Sequence, residues 1–463
     1  MLTRDPADAP HVVIVGGGLS GAVAALTVAR SGTPCVIDIV EPRPVLGAGV
    51  AYSATDPAHR INVPASRMTL FPDDPTHFDR WLRERGALEG DPDALWEGGH
   101  AFPQRAWFGR YVADLLAGAG IRHHRSVATD IRARPRGFGV LLEDGTHLDA
   151  AALVLAVSHP APVVPGPLRA AQAQGAPIVA DPWAPGAMDA IAADASVLVV
   201  GTGLTMADVV AGLARRCHRG PIFALSRRGL LSRGHYFAPA ETWNFFGTIA
   251  PLTTALGLSR EVRAQVRRAR SQGVPWQSVF DDVRTNAGRI WGALPVQEQR
   301  RLVRHLRPFW DVHRFRVSPQ AEAAIARLRD AGQFQPVTAS LAGADWDGTC
   351  LTIALRPRRG GPTNLRVDAV VVTTGPAHGS ILVTNPALAA LAGQGLVRAD
   401  GVGLGLLVDA QSRAVGADGS ARPDLFIAGP LARGRFGELM GLPQVSAHAA
   451  VVGSAVAVYV AAT

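Results

Sequence analysis

The sequence predicts an α/β fold of two Rossmann-like, dinucleotide-binding units with a helical insertion, and three observations carry that expectation. Six short apolar runs read as buried strands: VVIV (12–15), CVIDIV (35–40), ALVLAV (152–157), SVLVV (196–200), PIFALS (221–226) and AVVVT (369–373). The first and fourth lead straight into a glycine-rich turn and then a helical pattern. Between the fifth and sixth lies an arginine-rich span with helical spacing, for example REVRAQVRRARSQG and EQRRLVRHLRPFWDV. Continuous apolar strands alternating with helices belong to parallel sheets covered on both faces.

Composition narrows the chemistry. At 463 residues the chain is long enough for two or three domains of roughly 150 residues. With 48% hydrophobic and 18% charged residues it is globular rather than disordered. All 46 basic side chains are arginine. The lack of lysine excludes Schiff-base chemistry, a pyridoxal phosphate anchor and a Walker-type phosphate lysine, because a guanidinium does not give up its proton. Cys35, Cys217 and Cys350 are far apart, so neither a disulfide framework, a zinc site nor a dithiol redox pair is expected. The apolar run from Val12 to Ala29 carries four glycines and reads as a turn rather than a leader or membrane helix; Ala447 to Ala462, broken by Gly453, reads as a buried helix. A cytoplasmic protein with no metal and no membrane partner is the expectation.

The first glycine turn, VVIVGGGLSGAVAALTVARSG, places Gly16, Gly18 and Gly21 after a strand and at the head of a helix, with Leu19 and Ser20 between them. Glycine permits the tight turn, the approach of backbone to a pyrophosphate and close helix packing, and the phosphate rests on the positive helix end. Glu41 falls 20 residues after Gly21, where a second strand ends, in place to bond ribose hydroxyls. The second turn, SVLVVGTGLTMADVVAGLARR, keeps Gly201 and Gly203, followed by Leu204 and Thr205, but has Met206 at the third glycine position, which puts tight helix packing there in question. Counting 20 residues on from Met206 gives Ser226, then Arg227 and Arg228. An acid repels a 2′-phosphate and arginine pairs with it, so the second turn reads as an NADPH site and the first suits FAD. Two such sites in one chain imply hydride transfer from nicotinamide to flavin.

The runs GVAYSATDPAHRINVPASRMTLFPDDPTHFDRWL, FPQRAWFGRYV, VVGTGLTMADVV, RGPIFALSRRGL, RHLRPFWDVHRFRV and LFIAGPLARGRF resemble the bacterial FAD/NAD(P)-binding protein family, from about residue 11 to about residue 437. More distantly the arrangement is similar to flavin-dependent N-hydroxylases of amino acids and diamines. The resemblance implies an FAD domain split around an NADPH domain: 1–165, then 166–375 with a helical insert at about 236–330, then 376–463. Pro-rich stretches at 159–168 and 181–185 suit linkers. It also implies flavin contacts from Asn62 to Met68, including Arg67, and from Gly429-Pro430, which stands where wider flavoprotein patterns have Gly-Asp. Arg105 has a standing similar to Arg67, as a partner of pyrophosphate or an acidic substrate, and Val127 and Gly375 complete the expected cofactor set. The run DAVVVTTG, from Asp368 to Gly375, partly matches the N-hydroxylase pattern, with Pro376 replacing its tyrosine. LAVSHP (155–160) lacks the crossover glycine, and the Baeyer-Villiger fingerprint is not found.

Catalytic side chains are hard to read, because the isoalloxazine does the redox work. Three weak candidates stand out. Arg67 suits an anion or plain solvation. His235, beside Tyr236, follows the NADPH-binding arginines, where a loop would cover the nicotinamide. His313 has Asp311 nearby to orient it, against the blander reading of a packed histidine. Trp243, Phe245 and Phe246 suit a core more than a channel wall. Between Arg260 and Asp330 there are 15 arginines against 7 acids, an excess equal to the +8 of the whole chain. That field suits NADPH, an anionic substrate, a partner or a solvated face, and without a nucleic-acid motif it does not argue for nucleic acid. Self-association stays open. The expected activity is an FAD-dependent, NADPH-using monooxygenase that takes oxygen and a small polar metabolite. An NADPH-dependent flavin reductase or oxidase and an FAD-based redox-responsive binding protein are the alternatives.

Overall fold

The structure is a computed structural model, described here over residues 9–463 except 72, 158, 159, 161, 239 and 376–379. All six apolar runs are strands, and all six pair in parallel. The first sheet runs in the order Arg413–Val415, Ala421–Ile427, Ala152–Leu155, His11–Val15, Val36–Val40, Ile121–His124. Its members come from both ends of the chain, because Ala421–Ile427 returns to lie parallel to Ala152–Leu155. The second sheet runs Ile178–Val179, Ala369–Val372, Val197–Val200, Ile222–Ser226, Phe334–Trp346, Leu351–Pro357, Thr363–Val367.

Two antiparallel additions are absent from the expectation above. Strands Ala128–Ala133, Phe138–Leu142 and His147–Ala150 form a separate three-stranded sheet, and the last two strands of the second sheet are antiparallel hairpin partners. Their sequences alternate, as in FGVLL and LTIALRP, where every second side chain is buried; one face of each packs inward and the other meets solvent.

The helical insertion has a core of its own, in which Phe246, Leu258, Val279, Val283, Ile290 and Leu294 are buried and Trp243 and Phe245 pack against them. The aromatic run 243–246 is therefore core, as its composition suggests. The helix Pro319–Asp330 does not join this core. Its Leu328 packs with Val210 and Leu213 of the helix Leu204–Arg215, and it leads into the strand Phe334–Trp346, as a crossover helix of the second sheet does. The C-terminal helix Gln444–Ala461 is long and apolar enough by length and composition to cross a membrane, yet half of it is buried. It lies along the helix Leu19–Arg30, where Gly453 meets the backbone of Ala24 so closely that a Cβ would stand 2.6 Å from its carbonyl oxygen.

Candidate cofactor and active site

The two glycine turns are built by the same device. Gly16 (φ +103°) and Gly201 (φ +118°) both adopt a backbone conformation that side chains disfavour. A Cβ on Gly16 would stand 2.5 Å from the Ala156 carbonyl oxygen, and one on Gly201 2.5 Å from that of Thr373. Each turn therefore passes directly beneath the chain leaving a neighbouring strand. The Gly16 N–H donates to Val40 and the Gly201 N–H to Leu225, both at 2.9 Å, which ties each turn to the second strand of its unit. Gly21 is required because a Cβ there would overlap the Gly16 carbonyl oxygen. Met206, at the equivalent place, is buried among Val197, Val199, Val210 and Val371, so the second helix packs through a side chain instead of by backbone contact.

Both helices that follow start on a glycine, Gly18 and Gly203, and neither has a side-chain cap. Their first N–H groups stay available to an anion, supported by the positive end of the helix. At the end of the second strand the two units diverge. Glu41 is buried, and its carboxylate accepts from the Gly17 N–H (2.9 Å) and from the Arg43 N–H (3.1 Å). Its counterpart Ser226 accepts from the Gly229 N–H (3.0 Å), and Arg227 beside it is exposed and makes no ion pair among the described residues. Arg228 donates to the His305 carbonyl (3.1 Å) and lies 5.3 Å from the Phe309 ring centroid, which docks it on the insertion.

The returning strand completes the first site. Gly429 (φ +81°) sits so close to Ser20 that a Cβ would overlap its hydroxyl. The Gly429 N–H donates to His448 Nδ1 at 3.1 Å, so His448 holds its proton on Nε2, 2.9 Å from Ser412 Oγ. Burial pushes His448 down to about 4, which keeps the ring neutral.

Three distant segments meet where the units face each other. The Asn62 carbonyl accepts from His235 Nε2 (3.0 Å), and Asn62 Nδ2 donates to the Arg316 carbonyl (3.3 Å). His235 packs between Phe102 and Phe237; burial first, then the Arg316 charge, lower it to about 4. Met68 is buried nearby in sequence, and Arg67 is exposed.

Several expected site residues have other work. The Arg105 guanidinium is buried, pairs with Asp208 (2.8 Å) and donates to the Arg60 carbonyl (2.9 Å). His313 and Asp311 do not pair. His313 Nδ1 bonds the Phe309 carbonyl (2.7 Å) and its ring stacks on Phe280, while Asp311 pairs with Arg307 (3.3 Å). Asp368 of DAVVVTTG caps the start of its strand by accepting from Ser196, at the end of the sheet away from the glycine turn. The Val127 carbonyl accepts from Glu143 (2.8 Å). Gly375 (φ +80°) borders the undescribed 376–379, and Pro376 and the 158–159 part of LAVSHP lie outside the described residues. Sequence reasoning missed Asp208, Arg284 and Glu438; their signal is a partner distant in sequence, which no local motif records.

These turns match a known pattern. Residues 13–160 fit the FAD-NAD(P)-binding family model. The rest of the chain extends this FAD-NAD(P)-binding segment into a fold seen in solved structures. An ornithine N-hydroxylase from Kutzneria sp. 744 superposes with a TM-score of 0.64 at 17% identity, over 98% of this chain and 99% of that one. The cadaverine monooxygenase of Erwinia amylovora gives 0.66 at 12%, over 96% and 94%. The thioredoxin reductase of Lactococcus lactis gives 0.55 at 12%, over 98% and 100%. No curated protein matches the chain. The fold is that of FAD/NAD(P)-binding oxidoreductases.

Proposed function

We propose that this chain is an FAD-dependent, NADPH-using monooxygenase that acts on a nitrogen of a small polar metabolite. The observation that carries it is the contrast at two equivalent strand ends: a buried carboxylate, Glu41, at the first and an exposed arginine, Arg227, at the second. In this reading 1–165 and 376–463 hold FAD, and 166–375 holds NADPH. The open N–H groups from Gly18 to Gly21 take the FAD pyrophosphate, Glu41 takes the ribose, and those from Gly203 with Arg227 take the phosphates of NADPH. FAD held there would supply the redox chemistry that links NADPH oxidation to oxygen.

The side chains at the junction supply orientation and dryness. His235 is neutral and bonded through Nε2 to Asn62, so it holds the two units in register without adding charge, and Phe102 and Phe237 wall it from water. A disulfide reductase, the activity of one fold relative, is disfavoured by the cysteines. All three are free; Cys35 precedes a strand, Cys217 follows a helix and Cys350 sits at a hairpin, all away from the strand ends that carry the glycine turns.

The test is NADPH oxidation by the purified flavoprotein with amino acids and amines in turn, with products read by mass spectrometry. A product heavier by one oxygen, formed in step with NADPH loss, is expected. If hydrogen peroxide accounts for all NADPH consumed with every candidate, the chain is a flavin reductase or oxidase instead.

A further inference from the structure

The insertion meets the C-terminal strip through arginines, and two of them, Arg284 and Arg433, make no ion pair among the described residues. Arg314 pairs with Glu438 (2.7 Å) and Arg316 with Asp281 (2.8 Å), and Arg307 with Asp311 (3.3 Å). Arg284 instead gives Nη2 to the Leu442 carbonyl (2.6 Å) and to Gln444 Oε1 (2.7 Å), and its buried Nε has no acceptor. Arg433 is only 7% exposed and, among the described residues, makes no ion pair and leaves Nε and Nη1 buried without acceptors. Arg316 Nε is orphaned as well. Buried donors are almost always satisfied, and a buried guanidinium stays charged, so an uncompensated pair is costly unless something absent from the protein chain completes it. Burial first, then neighbouring arginines, push both Arg284 and Arg433 down to about 10, against the opposing charges of Glu438 and Asp281 on Arg284 and of Asp311, Glu438 and Asp400 on Arg433.

The cluster borders the junction described above. The Arg316 backbone is bonded to Asn62, and Arg284 grips the start of the helix Gln444–Ala461, whose His448 holds Gly429 against Ser20. We propose that Arg284, Arg316 and Arg433 form the recognition site for an oxyanion of the substrate, a carboxylate or a phosphate, so that the molecule brought to the flavin is anionic and not a free diamine. The proposal rests on the monooxygenase reading, but its site is read from binding alone. Planar guanidinium forks suit carboxylate and phosphate equally, and the surplus charge of the insertion draws such molecules in.

The test uses the flavin-loaded protein, with its flavin spectrum and reduction by NADPH recorded first; failure there overturns the cofactor reading and not the anion site. Inorganic phosphate, L-glutamate and cadaverine are then titrated separately by calorimetry. Saturable binding of phosphate or L-glutamate, none of cadaverine, and a loss of ~10-fold or more in affinity in Arg433→Gln and Arg284→Gln are expected. The tighter of the two anions identifies the oxyanion. The proposal is overturned if neither anion binds, if both variants bind as the parent does, or if NADP⁺ displaces the anion one for one, which would assign the cluster to the cofactor. Should a variant lose its flavin, the parent's melting temperature in phosphate against chloride at matched ionic strength decides, and no increase overturns the site.

Discussion

Arg105 and Asp208 stand 2.8 Å apart, both more than nine-tenths buried, although 103 residues separate them. The pair joins the helix Arg105–Leu116 beside the first sheet to the helix Leu204–Arg215 beside the second, and Arg215 and Asp56 add a more exposed bridge (3.1 Å) near it. Removing one partner strands a charge in a dry interface. Asp208→Asn should cost about 3–5 kcal/mol of stability, and Arg105→Gln a similar amount, by urea or thermal unfolding. The double variant should lose less than the sum of the two. Loss within about 0.5 kcal/mol, the range of an ordinary surface change, would refute the pair's role.

The second glycine turn separates packing from binding. Gly201→Ala forces a Cβ against the Thr373 carbonyl at a positive φ, so the variant should be destabilised and should bind NADPH poorly. Gly203→Ala meets nothing within 4 Å and keeps a negative φ. It should melt like the parent while its KM for NADPH rises, because only an approaching pyrophosphate feels the new methyl. Equal melting losses in the two variants would contradict this division.

Arg227 carries the proposed choice of nicotinamide cofactor. A charge-assisted contact to a phosphate is worth about 1.5–3 kcal/mol, so Arg227→Ala should raise KM for NADPH by roughly 10- to 100-fold and leave KM for NADH nearly unchanged. Arg228→Ala should do less, because its guanidinium already bonds the His305 carbonyl. Steady-state kinetics with both nucleotides checks this, and a parallel change for NADH would show that the arginine does not read the 2′-phosphate.

Acid should loosen the flavin. His235 and His448 are held down to about 4 from an ordinary 6.5. Below pH 6.5 the unfolded chain takes up protons on both rings while the folded chain does so only near pH 4, so stability from these sites is intact above 6.5 and falls as pH drops from 6.5 toward 4. A protonated His448 can no longer accept from Gly429, which closes on Ser20. Flavin release, followed by fluorescence, should therefore rise across this window, and His448→Gln should flatten the unfolding profile within it. A parent protein that retains flavin and melting temperature unchanged down to pH 4 would rule this out.

Legibility followed the range of the interaction. The six parallel strands are legible because they are largely buried on both faces and so run almost continuously apolar, as Val197–Val200 does, with Asp38 the buried exception in Val36–Val40. The hairpins around Phe138–Leu142 and Leu351–Pro357 are less legible because only every second side chain of a half-buried strand is buried, which leaves the other positions free to vary. The glycine turns were readable because their constraints act within a few residues. Arg105 was read as an anion-binding candidate, and its type gave no sign that its anion would be Asp208.

The sequence alone determined two strand–glycine-turn–helix units, the carboxylate after one and the arginines after the other, and the placement of the whole +8 between Arg260 and Asp330. Those features are local: backbone sterics and a fixed strand length set the spacing, and no distant residue can change it. Only the tertiary structure decided which arginines of that span are neutralised and which are not. Arg314 meets Glu438 and Arg316 meets Asp281, whereas Arg284 makes no ion pair among the described residues and bonds the Leu442 carbonyl and Gln444 instead. The energy of a charge depends on what folding brings beside it and on the water it removes, and neither is written in the spacing of residues along the chain.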